Sequence, residues 1–189
     1  MRMIDLSHEI INFPYPGDFG LKIREEIDEY ITSIICFSSH LSTHIDYPKH
    51  VHLKNKEYDI VKGVGYCIKL EDLDKLNNID NNIDILLIYS GYSELWRKEE
   101  YFKKYPKIDV NKILELNIKC VGVDACSIGD FEEHYVLLSN NILIIENLNS
   151  NLKHLINEKF YFLGVPLKIK NVDASPIRCF AIKNFNYRF

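Results

Sequence analysis

His40-Leu41-Ser42-Thr43-His44-Ile45-Asp46-Tyr47-Pro48-Lys49-His50 places three imidazoles and one carboxylate within eleven residues. Few structural roles need that. Read as an extended strand, positions 40, 44 and 46 share one face, but at ~3.3 Å per residue a flat strand would hold His40 and His44 about 13 Å apart. Two ligands of one metal must lie far closer, so the chain has to curl between them, and the small Ser42 is well placed to allow it. Two imidazole nitrogens and a carboxylate suit zinc or a similar first-row metal and leave positions open for water or substrate. An open site is expected of a catalyst, because a bound metal lowers the pKa of its water from about 15.7 toward ~7. Pro48 breaks the run after Asp46. His50 lies beyond that break, where it can face the metal without ligating it, and a free imidazole there is suited to carrying a proton near neutral pH.

Working outward, the 189 residues are 47% hydrophobic, enough to bury the core of one domain, read here as residues 1–189. A net charge of -4 and lysines scattered among acids offer no footprint for nucleic acid. Asp5 and His8 interrupt the start where a signal peptide would need an apolar stretch, and no apolar run reaches membrane-spanning length. The expectation is a soluble, cytoplasmic protein with a small-molecule substrate and no membrane partner. Cys36, Cys67, Cys120, Cys126 and Cys179 are an odd number and contain no Cys-x-x-Cys pair. That argues against a disulfide framework and a zinc knuckle, and for buried, small apolar roles for most of them.

Short runs rich in Ile, Val, Tyr and Phe alternate with amphipathic stretches, the pattern of a mixed α/β domain. Strands are expected at 31–37, 65–70, 83–89, 119–123, 142–145, 160–165 and 179–182. Helices are expected at 71–76, 93–104, 110–116, 131–139 and 151–157, with a polar loop over 77–82. Asp130 followed by Glu133 has the spacing of a capping box, which sets His134 near a helix N-terminus. Asn140-Asn141 reads as a tight turn, so the chain reverses into a strand that delivers Glu146 at its end. His8, His52 and His154 stand alone and are discounted as ligands.

The cluster resembles the signature of the Putative cyclase family, which includes bacterial kynurenine formamidases and isatin hydrolases: His-x-Gly-Thr-His-x-Asp-x-Pro-x-His. Every fixed position is matched except the glycine, where Ser42 stands. The likeness runs on through Ile4-Asp5-Leu6-Ser7-His8, Tyr15-Pro16-Gly17-Asp18, Val121-Gly122-Val123-Asp124, His134 with Ile145-Glu146-Asn147-Leu148, and Asp173-Ala174-Ser175-Pro176-Ile177-Arg178. The resemblance implies an α/β fold, a swivelling β/β/α domain. It implies that His40, His44 and Asp46 bind one metal, that Asp46 bridges to a second held by His134, and that Glu146 contacts both. The metal implied is zinc, as one ion or two, with manganese as an alternative. His50 matches the family's acid/base position. Tyr15 matches an aromatic residue of the substrate pocket that is tryptophan in the formamidases. Homodimers or larger homo-oligomers are implied as well.

Cys126 stands where the family usually has proline, Asn171 and Ala174 where it often has glycine. Cys126 as a nucleophile is disfavoured, since no basic neighbour is evident to stabilise a thiolate. The activity expected is hydrolysis of a formamide or cyclic amide, as in kynurenine formamidase (arylformamidase). The alternatives are an isatin hydrolase-like or other small-carbonyl hydrolase or cyclase and, from another class, a metal-binding protein without catalysis.

Overall fold

Ten strands form among residues 1–55, 60–79 and 82–184, the part of the chain that the computed structural model describes. They are β1 (Arg2–Asp5), β2 (Lys22–Ile27), β3 (Ile31–Cys36), β4 (His44–Asp46), β5 (Val61–Lys69), β6 (Ile85–Tyr89), β7 (Cys120–Val123), β8 (Leu143–Glu146), β9 (Lys159–Pro166) and β10 (Ala174–Lys183). β5, β6, β7 and β8 run parallel in that order. The middle of this set is apolar on both faces: Leu86, Leu87, Ile88, Val121 and Ile144 are all fully buried. Strands covered on both sides read as continuous apolar runs rather than alternating ones, which is why these were visible in the sequence.

Antiparallel strands complete the sheet, β9 beside β5 and β4 beside β8. β10 then joins the two ends. Its first residues pair with β4 (Pro176 opposite His44, Ala174 opposite Asp46), while Ile177–Ile182 pair with β9. Seven strands therefore close into a barrel-like sheet, and β1 adds to the far end of β10. Closure satisfies ladder groups that an open sheet would leave at its edges. It also sets the site, because β4 is held between β8 and β10 and His44 becomes the cross-strand neighbour of Glu146.

Helix α1 (Val110–Leu114) and helix α2 (Phe131–Ser139) pack on this sheet. The Asp130–Glu133 capping box is formed in both directions, and Asn141 turns at φ 63° to feed β8. The expected helix over 93–104 is instead two short 3-10 turns, Tyr92–Leu95 and Glu99–Phe102. Arg97 between them has φ 69°, a left-handed conformation that no right-handed helix can contain. The expected helices at 71–76 and 151–157 are 3-10 segments, Leu70–Asn78 and Ser150–Leu155. The first takes in Asn77 and Asn78 of the expected polar loop, whose residues 80 and 81 lie outside the described part. β1, β2 and β4 were not foreseen. β2 and β3 form a separate hairpin with every residue exposed, and Ile23 against Ile35 and Ile27 against Ile31 line one face. No helix among the described residues is long and apolar enough to cross a membrane.

Candidate metal centre

The β4–β8 ladder brings His44, Asp46 and Glu146 together in the interior, with 2%, 0% and 4% of their surfaces exposed. His44 Nε2 lies 3.4 Å from Asp46 Oδ1 and 3.4 Å from Glu146 Oε2. From the other side α2 directs His134 Nε2 to 3.1 Å from Glu146 Oε1 and 3.7 Å from Asp46 Oδ2. His40 enters from the preceding turn, Nδ1 at 3.2 Å from Asp46 Oδ1. The four carboxylate oxygens thus divide in two. Asp46 Oδ1 faces His40 and His44 and Glu146 Oε2 faces His44, while the other oxygen of each acid faces His134.

The turn demanded by the sequence is present. Ser42 adopts φ 64°, and the His40 and His44 ring centroids are 4.8 Å apart. A glycine takes that conformation without strain; here the Ser42 hydroxyl donates to Glu9 O at 2.8 Å.

His44 Nε2 and both oxygens of Asp46 are buried with no hydrogen-bond partner. A buried, unsatisfied carboxylate costs several kcal/mol unless a cation or donors compensate it. Two imidazoles, a third from α2 and two carboxylates fit a divalent first-row cation at that position. Without a cation the acids and imidazoles share protons. Burial opposes a charged His134, yet its hydrogen bond to Glu146 overrides this and raises it to about 9. His40 is driven the same way against burial, to about 10, by Asp173 and Asp46. Glu146 and Asp46 are held below the usual carboxylate range, against their burial, by the neighbouring imidazoles.

A second layer fixes the ring orientations. His44 Nδ1 donates to Ser42 O at 2.9 Å, which leaves Nε2 for the centre. Asn147 Nδ2 donates to the same carbonyl at 2.9 Å, and Tyr101 OH donates to Asn147 Oδ1 at 2.7 Å. His134 Nδ1 donates to Asp130 O at 2.8 Å, and Ile128 N donates to Glu146 Oε1 at 2.8 Å. His50 comes from the 3-10 turn Pro48–Val51 that follows β4. Its ring lies 4.5 Å from that of His40 and 5.5 Å from that of His134. Asp173, just before β10, accepts from His40 Nε2 at 2.9 Å and faces His50 Nδ1 at 3.7 Å.

The family model described as Putative cyclase matches residues 4–130. This chain belongs to that family. An uncharacterized protein of Methanocaldococcus jannaschii is 58% identical, covering 96% of this chain and all of that protein. A kynurenine formamidase of Bacillus cereus is 27% identical, covering 93% of this chain and 94% of that enzyme. Among solved structures, isatin hydrolase A from Ralstonia solanacearum superposes with a TM-score of 0.75 at 15% identity, covering 95% of this chain and 91% of that one.

In this cyclase-family chain the cluster forms the floor of a cavity of about 460 Å³. His40, His44, His50, His134 and Glu146 line it, and so does Tyr15. The opposite wall is aromatic. Phe13 packs at 5.0 Å from Trp96 and 4.7 Å from Phe102, and Tyr15 stands at 5.5 Å from Phe102. His8 stacks on Trp96 at 3.9 Å, and burial, aided by Arg97, lowers its pKa to about 4, so it serves as a neutral ring. Phe13, Trp96, Phe102, Tyr101, Asn147 and Asp173 were not singled out from the sequence, because their roles depend on which distant segments meet. Cys126 also lines the cavity. Burial and then Glu146 push its thiol up to about 12, so it stays protonated near neutral pH.

Proposed function

We propose that this protein is a metal-dependent hydrolase that cleaves a formamide or cyclic amide attached to an aromatic ring. The observation that carries the reading is the placing of His50 beside His40 and the orphaned Asp46, with ligating atoms within 4.8 Å of one another, at the wall of an aromatic-sided cavity. The names of the Bacillus cereus kynurenine formamidase and the isatin hydrolase support the same reaction class.

His40, His44 and Asp46 would hold one ion and His134 a second, with Asp46 bridging and Glu146 contacting both; zinc is the first choice and manganese the alternative. When bound, the metal supplies a Lewis acid for the carbonyl and a water of lowered pKa. His50 takes a proton from the attacking water and delivers it to the leaving nitrogen, since an amine leaves poorly unless protonated. Asp173 faces His50 on its Nδ1 side at 3.7 Å, which leaves Nε2 for proton transfer. Phe13, Tyr15, Trp96 and Phe102 hold the ring and exclude water from one side. Homo-oligomerisation belongs to the same proposal and is supported by the exposed isoleucine face of the β2–β3 hairpin, since a lone two-stranded hairpin is marginal in water.

The test is turnover of formanilides, lactams and isatin by protein loaded with zinc or with manganese. Hydrolysis of at least one class supports the proposal. Metal bound at full occupancy with no turnover on any of them would make this a binding protein instead.

A further inference from the structure

The cavity is one-sided in charge. None of its described lining residues is lysine or arginine. The cations that directly follow its aromatic residues are turned to acids, Arg97 to Glu9 at 3.4 Å and Lys103 to Glu99 at 3.3 Å. At the floor Asp46, Glu146 and Asp173 face the imidazoles of the centre. Away from that floor the acidic side chain that lines the cavity is the exposed Asp18.

Asp18 is held there by local geometry. Gly17 has φ +96°, a conformation that side chains rarely adopt, and Asp18 N donates to Tyr15 O at 3.0 Å. The resulting turn sets Tyr15 and Asp18 on the same cavity wall. Ser38 Oγ donates to Asp18 Oδ2 at 3.5 Å, and among the described residues Asp18 makes no ion pair. A carboxylate that lines the same cavity as Tyr15 and Phe102 is suited to an ammonium group, which gains Coulomb attraction and can add cation–π contact. An anion at the same place would meet Asp18 with no lysine or arginine in the described lining beside it.

We propose that the pocket selects ring-bearing amides that carry a positive charge, or none, on the side away from the scissile bond, that it rejects anionic ones, and that Asp18 is the residue that makes the selection. This deepens the hydrolase reading and rests on it only for which end of the substrate faces the metal.

Trp96 is the chain's single tryptophan and lines the cavity, so its fluorescence reports binding whether or not chemistry follows. The probes are formanilide and its para-aminomethyl and para-sulfonate derivatives, titrated into zinc-loaded protein near neutral pH at low salt; the sulfonate is used because it ligates zinc weakly. The ammonium compound is expected to bind about tenfold more tightly than the sulfonate, with formanilide between. Asp18→Asn should bring the ammonium compound to within about twofold of formanilide, and added salt should compress the series, because an exposed charge is screened. Sulfonate binding as tight as ammonium binding, a preference that survives Asp18→Asn, or no fluorescence change with any probe would overturn the proposal. Charge-selective binding without turnover would keep it and sink the hydrolase reading, whereas equal binding with turnover would do the reverse.

Discussion

The hydroxyl of Tyr101 donates to the side-chain carbonyl of Asn147 at 2.7 Å, between two residues that are both buried and 46 positions apart. Asn147 in turn shares the Ser42 carbonyl with His44 Nδ1. This chain of donors sets which nitrogen of His44 points at the centre. Tyr101→Phe removes the donor and leaves Asn147 Oδ1 buried without a partner. It should cost about 1–3 kcal/mol of stability and weaken metal binding by roughly 10–100-fold. Denaturant unfolding and a competitive metal titration check the two parts separately.

His50→Ala is expected to keep its metal and lose about 10²–10⁴ in kcat, the usual contribution of a positioned acid/base. Asp173→Asn should fall between wild type and that variant in rate. It should also lower metal affinity, because Asp173 accepts from His40 Nε2 as well. Steady-state kinetics with metal analysis of each purified variant decides this. A His50→Ala enzyme near the wild-type rate would remove His50 from the acid/base role.

Ser42 gives a prediction about the backbone. At φ 64° its Cβ is strained by roughly 1–2 kcal/mol, while its hydroxyl bond to Glu9 O returns about 1 kcal/mol. Ser42→Gly should therefore unfold within about 1 kcal/mol of wild type and bind metal normally. Ser42→Val keeps the strain, adds a β-branch and loses the bond, so a loss of roughly 2–3 kcal/mol is expected. Thermal unfolding of the pair reads out the difference.

Stability of the metal-free protein should depend on pH in a fixed direction. His134 and His40 are raised from the ordinary 6.5 to about 9 and about 10, so the folded state holds those protons more tightly than the unfolded chain. Their contribution is complete below about pH 6.5 and disappears as pH rises through 9 to 10. Glu146 and Asp46 are depressed, so theirs is present above the ordinary carboxylate range and disappears on acidification. Urea melts in a chelator should be most resistant between about pH 5 and 6.5. Metal needs deprotonated imidazoles, so the loaded protein should not share the alkaline decline. An alkaline decline of equal size with and without metal would contradict this.

The parts of the fold that could be read from the sequence were those whose cause is local. The buried parallel strands show as unbroken apolar runs, and α2 announces its start through Asp130 and Glu133. The requirement that the chain curl at Ser42 followed from the spacing of His40 and His44 alone. β4 could not be read, because three residues form a strand only when β8 and β10 lie on either side. β2 is largely charged (Lys22, Arg24, Glu25 and Glu26) and shows no apolar alternation. The helix expected over 93–104 failed at Arg97, whose left-handed backbone no propensity signals. Asp173 and Asn147 became visible as site residues only once β10 and β8 had been placed beside β4.

The division of the carboxylate oxygens of Asp46 and Glu146 between the two groups of histidines is the centre of this account, and metal content per chain in wild type and in Asp46→Ala tests it most directly. Two ions are expected on the wild-type chain and none on the variant, because Asp46 offers one oxygen to each side. A folded Asp46→Ala protein that gave up one ion and retained the other would contradict it.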